Sequence, residues 1–299
     1  RMNNADAPQQ DGIVNGAAAD ELDDESSIEE EEEELPMYIS MHDKTMAKEL
    51  KERHANTGAA PLSDMEYAQH SIIAAGNTQW ALQRMEALRC FKELYEVQDT
   101  VEEGTYVLQE LVRLQPGVLV NIEILNGVHT AVWDQGAAVP SNAFDSPHSW
   151  RTHVVFCYYL LQALQPTLQS VQNGIAYLIE GGVMKWEHFD LTFETRLRDE
   201  IWGNYPVYVQ KILVFNSNSV VNMAWSLMKP ILSQEIRRSI QLGCQLESDT
   251  TPGSSWTSHK LSLCDFYLQP TYEVAMQHMI ARAKHLLTQR YHNQESFRL

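Results

Sequence analysis

The hydrophobic pattern is most informative over residues 205–242. Residues 211–215 are a short β-branched and aromatic run closed by Asn216, Ser217 and Asn218, the pattern of a strand buried in a parallel sheet. Immediately afterwards Val220, Val221, Met223, Ala224, Trp225, Leu227 and Met228 leave only Asn222 and Ser226 polar before Pro230. That spacing predicts a helix capped by Ser217, Asn218 or Ser219 and ended ahead of the proline. Its apolar groups cover most of the circumference. One side can pack on the sheet, but the other needs a second apolar partner: a further protein layer, a ligand or a membrane surface.

The same reasoning orders the rest of the chain. A charged segment, 41–53, predicts a solvated helix, and 56–63, with Gly58 and Pro61, a linker; Asp64 is expected to cap the next helix. Three- and four-residue spacing of Leu82, Met85, Leu88, Phe91, Leu94 and Tyr95 predicts an amphipathic helix over 80–97, with another over 101–113. After the break at Gln115-Pro116-Gly117, residues 118–124 read as a strand, and 134–147 as a loop. A helix over 150–165, stopped by Pro166, is apolar on more than one face. Residues 174–180 form the next strand and close in Gly181 and Gly182. A helix over 190–202 then crosses to the strand at 206–216, a βαβ unit expected to be right-handed. Residues 248–258 read as a loop and 272–291 as a closing amphipathic helix carrying Arg282, Lys284 and Arg290. The fold class is α/β, with a mostly parallel sheet preceded by a small helical region.

Charge alters the picture at one end only. The net charge of −18 is concentrated in residues 1–36, which carry thirteen acids against Arg1, culminating in Glu29 to Glu34. This segment lacks the apolar content that would offset its ordering entropy, so it reads as a disordered acidic tail. What remains is mildly acidic, and nothing in it resembles a nucleic-acid footprint. Cys90, Cys157, Cys244 and Cys264 lie far apart without metal-ligand spacing, so no metal or cofactor is expected. The longest apolar run, 154–161, falls well short of the roughly 20 residues needed to span a bilayer. GxSxG, GxxxxGK, HExxH and strand-borne GxGxxG patterns are all missing, so catalysis is not expected.

A strand, a polar turn, an apolar helix running into Lys229-Pro230-Ile231-Leu232, a short helix bearing Arg237 and Arg238, and a further strand together resemble the second half of a CRAL-TRIO domain. This is the lipid-binding family of the phosphatidylinositol, tocopherol and retinaldehyde transfer proteins. The resemblance extends over about 80–245. It implies that the helix at 219–229 is a mobile gate over a hydrophobic pocket. Val221, Met223, Trp225 and Met228 would line that pocket, and Ile175, Tyr177, Ile179, Leu213 and Phe215 would supply its floor, with the facing parity left open. Lys229, Arg237 and Arg238 would contact a phosphoinositide headgroup or membrane; ordinary helix C-terminal cations are the competing reading. The glutamate and lysine that hold a headgroup in the phosphatidylinositol-transfer branch correspond by position to Val207 and Ser239.

The expected organisation is therefore a tail (1–36), an N-terminal helical region (37–113), a CRAL-TRIO-like domain (114–270) and a C-terminal helix (271–299). The expected function is to bind a phospholipid or other hydrophobic small molecule and present it transiently at membranes, as a cytoplasmic or peripheral membrane protein without enzymatic activity. The alternative is a degenerate domain that has lost lipid transfer and serves as a protein-interaction module for a regulatory protein. The missing headgroup pair and the acidic tail favour that alternative.

Overall fold

The computed structural model describes residues 39–58, 60–114, 119–125, 127–134, 141–244 and 272–299. The tail expected over 1–36, the break at 115–117 and the loop expected over 248–258 lie outside the described residues.

The β-branched runs assemble into one five-stranded sheet in the order β1 (Leu119–Leu125), β2 (Val128–Asp134), β3 (Ile175–Glu180), β4 (Val209–Phe215), β5 (Ile240–Cys244). β1 and β2 pair antiparallel and the others parallel, so the sheet is mostly parallel, as the α/β pattern predicts. β2 is not among the predicted strands. His129 and Thr130 interrupt its apolar run, yet Val128 to Val132 are all buried, as befits a strand covered on both faces. Register places Trp133 beside Ile179, Ile179 beside Val214 and Val214 beside Leu242. One step along, Ala131, Tyr177, Ile212 and Ile240 form a parallel row on the same face.

The helices before the sheet are α1 (Met41–Ala55), α2 (Asp64–Ala74), α3 (Thr78–Tyr95) and α4 (Val101–Leu114). α1 is not the solvated helix that its charge suggests: Met46, Leu50 and His54 recur every four residues and are buried. Nor does Asp64 cap α2. Ser63 does, accepting from the Glu66 backbone N–H at 3.2 Å while the Glu66 carboxylate accepts from the Ser63 N–H at 2.9 Å, a reciprocal capping box. Asp64, one residue inside, pairs with Lys51 at 2.6 Å instead. In α3, Leu94 is exposed although it shares the spacing of the core residues.

The helix with no polar face is α5 (Pro147–Ala163), whose residues from Ser149 onward are nearly all buried. It lies against the sheet through contacts such as Phe156 with Trp133, whose rings are 6.0 Å apart, and its other side packs on α4 and the closing helix. Gly104 of α4 makes that close approach possible. A Cβ there would come within 2.7 Å of both Tyr159 and Leu287. After the short α6 (Leu168–Asn173), α7 (Leu191–Leu197), capped by Asp190 and extended by a π-turn over Arg198–Trp202, leads to β4. α8 (Ser219–Met228) and α9 (Gln234–Ser239) connect β4 to β5, and α10 (Tyr272–Ser296) closes the chain.

The described residues form one compact unit. A second core under α1 to α3 receives Phe297 from the end of α10. Between the cores runs a buried polar network: Gln69 donates to the Gln165 side chain at 2.9 Å and to the Pro206 carbonyl at 3.0 Å, and Arg290 donates to Gln69 at 2.6 Å. Arg290, a surface-type residue by sequence, is only 1 % exposed.

Candidate functional site: a cavity beneath α8

The turns at the carboxyl ends of β3 and β4 hold α8 over the sheet. Asn216, at a left-handed φ of 49°, donates to the Glu180 carboxylate at 2.7 Å, whose other oxygen accepts from the Gly182 N–H at 2.7 Å. Asn218 does two things. Its carbonyl oxygen caps α8 by accepting from the Val221 N–H at 3.0 Å, and its amide donates to the Gly182 and Met184 carbonyls at 3.1 and 2.8 Å. Gly181 lets the helix come close, since a Cβ there would lie 3.0 Å from Val221 and 3.1 Å from Val214. Beyond this anchored end α8 is sparsely packed, with only Val221 and Ala224 buried. Met223 and Leu227 face solvent at 52 % and 44 % exposure, so no second protein layer among the described residues covers that side.

Beneath α8 is a cavity of about 1180 Å³. A volume of this size suits a large ligand. Its floor is the sheet face bearing Tyr177, Ile179, Ile212 and Val214; its roof includes Val221, Trp225 and Met228; its sides come from α5, α7 and α3. The question of parity is thus decided by the register. Leu213 and Phe215 point to the opposite face of β4, and Ile212 and Val214 take their place. Ile175 shares the parity of Tyr177, but it is fully buried in the core and does not reach the cavity. Met223 lies on the outer side of α8.

The expected cations sit outside. Lys229 follows the last turn of α8, and Arg237 and Arg238 occupy the last turn of α9; all three are exposed. Two arginines that the sequence pattern does not single out, Arg84 and Arg198, line the cavity itself. Arg84 lies 4.0 Å over the Trp80 ring and donates to the Tyr205 carbonyl at 3.0 Å; Arg198 donates to the Ile231 carbonyl at 3.1 Å and pairs with Asp199.

The other polar residues that line the cavity include His153 and Cys157, one turn apart on α5, Tyr177 on β3 and Glu194 on α7. Burial holds His153 down to about 4, so its ring is neutral. Burial also pushes the Cys157 thiol above its usual range, with Glu194 adding to the effect. Glu194 is raised to about 7 by burial, reinforced by the Asp190 carboxylate. The only sequence signal for the α5 pair was the i, i+4 placement of His153 and Cys157 within an otherwise apolar helix. Among the described residues no group of His, Cys, Asp and Glu is arranged to hold a metal ion, and no helix is long and apolar enough to cross a membrane.

A family model described as the CRAL/TRIO domain matches residues 136–247, which span α5, α6, β3, α7, β4, α8, α9 and β5. No curated protein matches the chain.

Proposed function

We propose, from the premise that residues 136–247 place this chain in the CRAL/TRIO domain family, a family of lipid-binding and lipid-transfer proteins, that it carries one hydrophobic molecule in the cavity beneath α8 and exchanges it at a membrane surface. The observation that carries this reading is the 1180 Å³ cavity with its apolar floor and roof. Enclosing a flexible hydrocarbon there removes apolar surface from water at roughly 25 cal/mol per Å². α8 is the natural gate. It is tied at its first residue by Asn218 and carries cavity-facing and solvent-facing apolar groups on opposite sides, so it can exchange one apolar partner for another without exposing more hydrocarbon to water. Lys229, Arg237 and Arg238 lie on the same segment and are free to meet anionic headgroups, phosphoinositides included.

Carriage needs no covalent step. Cys157, held as a thiol by burial, lacks the thiolate that nucleophilic catalysis uses, and we infer a carrier rather than an enzyme. The test is native mass spectrometry of the purified protein followed by organic extraction. A stoichiometric co-purified lipid supports carriage. A protein that is empty and takes up no lipid from vesicles reassigns the domain to protein interaction.

A further inference from the structure

The two arginines of the cavity wall differ in what they hold. Arg84 on α3 donates to the carbonyl of Tyr205, a buried residue of the surrounding protein, whereas Arg198 reaches across to the roof: its guanidinium donates at 3.1 Å to the carbonyl of Ile231, in the turn that joins α8 to α9. The local fold fixes this second arginine. Leu197 before it and Ile201 after it are buried, the Gly203 N–H closes the π-turn on the Arg198 carbonyl at 2.7 Å, and the Asn204 amide donates to the Asp199 carbonyl at 2.7 Å. A Cβ at Gly203 would lie 3.0 Å from the Arg198 carbonyl oxygen, so the turn is built tightly around this residue. The Asp199 carboxylate then orients the guanidinium by accepting from its Nε at 2.7 Å. The segment that Arg198 meets is loosely packed by comparison. Met228, Ile231 and Leu232 are half-buried, and Leu227, Lys229 and Pro230 are exposed.

We propose that Arg198 is the latch of the cavity: its bond to the Ile231 carbonyl holds down the trailing end of α8, and the helix swings about the turn at Asn218 when that bond breaks. The inference rests on the cavity being the ligand site and adds the contact that sets the rate of passage. The two ends of α8 are held unequally. Asn218 ties the first turn through three bonds, to the Val221 N–H and to the Gly182 and Met184 carbonyls, so that end is the pivot. Movement of the other end uncovers Trp225, Met228 and Ile231, which line the cavity. A hydrogen bond from a charged donor is stronger than a neutral one, but the Arg198 side chain is half-buried, so water can replace the carbonyl it gives up. Such a bond biases α8 towards closure and still breaks at each exchange. Its partner is a backbone carbonyl of the protein itself, present in the loaded and the empty state alike. The latch therefore slows entry and exit equally and leaves the equilibrium affinity unchanged.

The test compares the full wild-type chain with Arg198→Met, which keeps the apolar stem and removes the donor, and with Arg198→Lys, which keeps the charge but not the planar fork. Hydrogen exchange reads the latch without any added ligand. We expect amides in residues 222–232 to exchange roughly tenfold faster in Arg198→Met, with β3 and β4 unchanged and Arg198→Lys in between. Passage is read by stopped-flow fluorescence with pyrenyl-decanoyl phosphatidylcholine moving between the protein and neutral phosphatidylcholine vesicles. Uptake and release should both quicken by roughly tenfold in Arg198→Met while Kd stays within about twofold. Unchanged hydrogen exchange over 222–232 overturns the latch. So does a change in Kd without matching changes in both rates, which would make Arg198 a ligand contact. Faster hydrogen exchange in a protein that takes up no probe supports the latch and overturns carriage. If Arg198→Met loses protection throughout the chain, Arg198→Lys decides by the same two readouts.

Discussion

The Arg290 guanidinium donates to the Gln165 backbone carbonyl across 2.8 Å, joining α10 to the end of α5 from 125 residues away. The same side chain donates to Gln69 of α2, so one cation bridges three helices that the chain order keeps apart. Arg290→Met, similar in length and apolar, would leave the Gln69 Oε1 and Gln165 carbonyl without their donor. We expect a loss of about 3 kcal/mol in urea unfolding, the cost of two buried acceptors left unpaired. A loss below about 1 kcal/mol would show that the network is incidental to stability.

Lys92 is a half-buried cation, 2.7 Å from both Glu66 and Asp99. Burial opposes the charge on Glu66, yet the Lys92 ammonium beside it, with further help from the Ser63 N–H, brings its carboxyl down to about 2. A depressed carboxylate contributes stability that is present above the unfolded value of 4.5 and lost as pH falls toward 2. Lys92→Met should therefore cost about 3–5 kcal/mol at pH 7, the penalty for stranding the buried Glu66 carboxylate. Because protonation relieves that penalty, the gap between wild type and variant should narrow in thermal melts at pH 4. A constant gap would contradict the ion-pair account.

Glu194 predicts the opposite slope. Its folded value of about 7 lies above the ordinary glutamate value of 4.5, so between those values the folded state holds a proton that the unfolded chain has released. Stability is therefore highest below pH 4.5 for this group and falls as pH rises toward 7. Glu194→Gln should leave Tm unchanged near pH 4.5 and raise stability at pH 8 by something on the order of 2 kcal/mol. His153, held down to about 4, acts on the acid side: its contribution is lost as pH falls from 6.5 through 4. The Glu194→Gln variant should keep that acid limb.

Asn218→Ala should loosen the roof. It removes the α8 cap and the two bonds to Gly182 and Met184. We expect a loss of roughly 1–2 kcal/mol from the cap. The sharper readout is hydrogen exchange, which should accelerate in residues 219–228 while α5, buried between the sheet and the helices, keeps its protection. Unchanged exchange in α8 would mean that its C-terminal contacts hold it in place.

Local patterns reached far in this chain. The strand over 211–215, the polar turn after it and an apolar helix ending before Pro230 are all present, with Asn218 chosen among the three candidate caps. Three-and-four spacing likewise located α3, and the helices expected over 101–113 and 150–165 are present as α4 and α5. Where local patterns failed, a partner distant in sequence was responsible. β2 escapes because a strand buried on both faces need not alternate, and its His129 is tolerated only when burial keeps the ring neutral, at about 4. α1 looks solvated because its charges outnumber the four residues it buries against α2 and α3.

The sequence by itself determined most elements other than β2, their order, a mostly parallel sheet and an unusually apolar helix after the strand at 211–215, because these depend on periodicity and on caps within a few residues of each other. The tertiary structure alone decided which parity of β4 faces the cavity, since that is set by register with β3 and β5. It also decided that Arg290 is buried, and that His153, Cys157, Tyr177 and Glu194, from three separate elements, line the same cavity. A side chain's protonation and hydrogen-bonding role follow from what surrounds it, and those surroundings are assembled only when the chain folds.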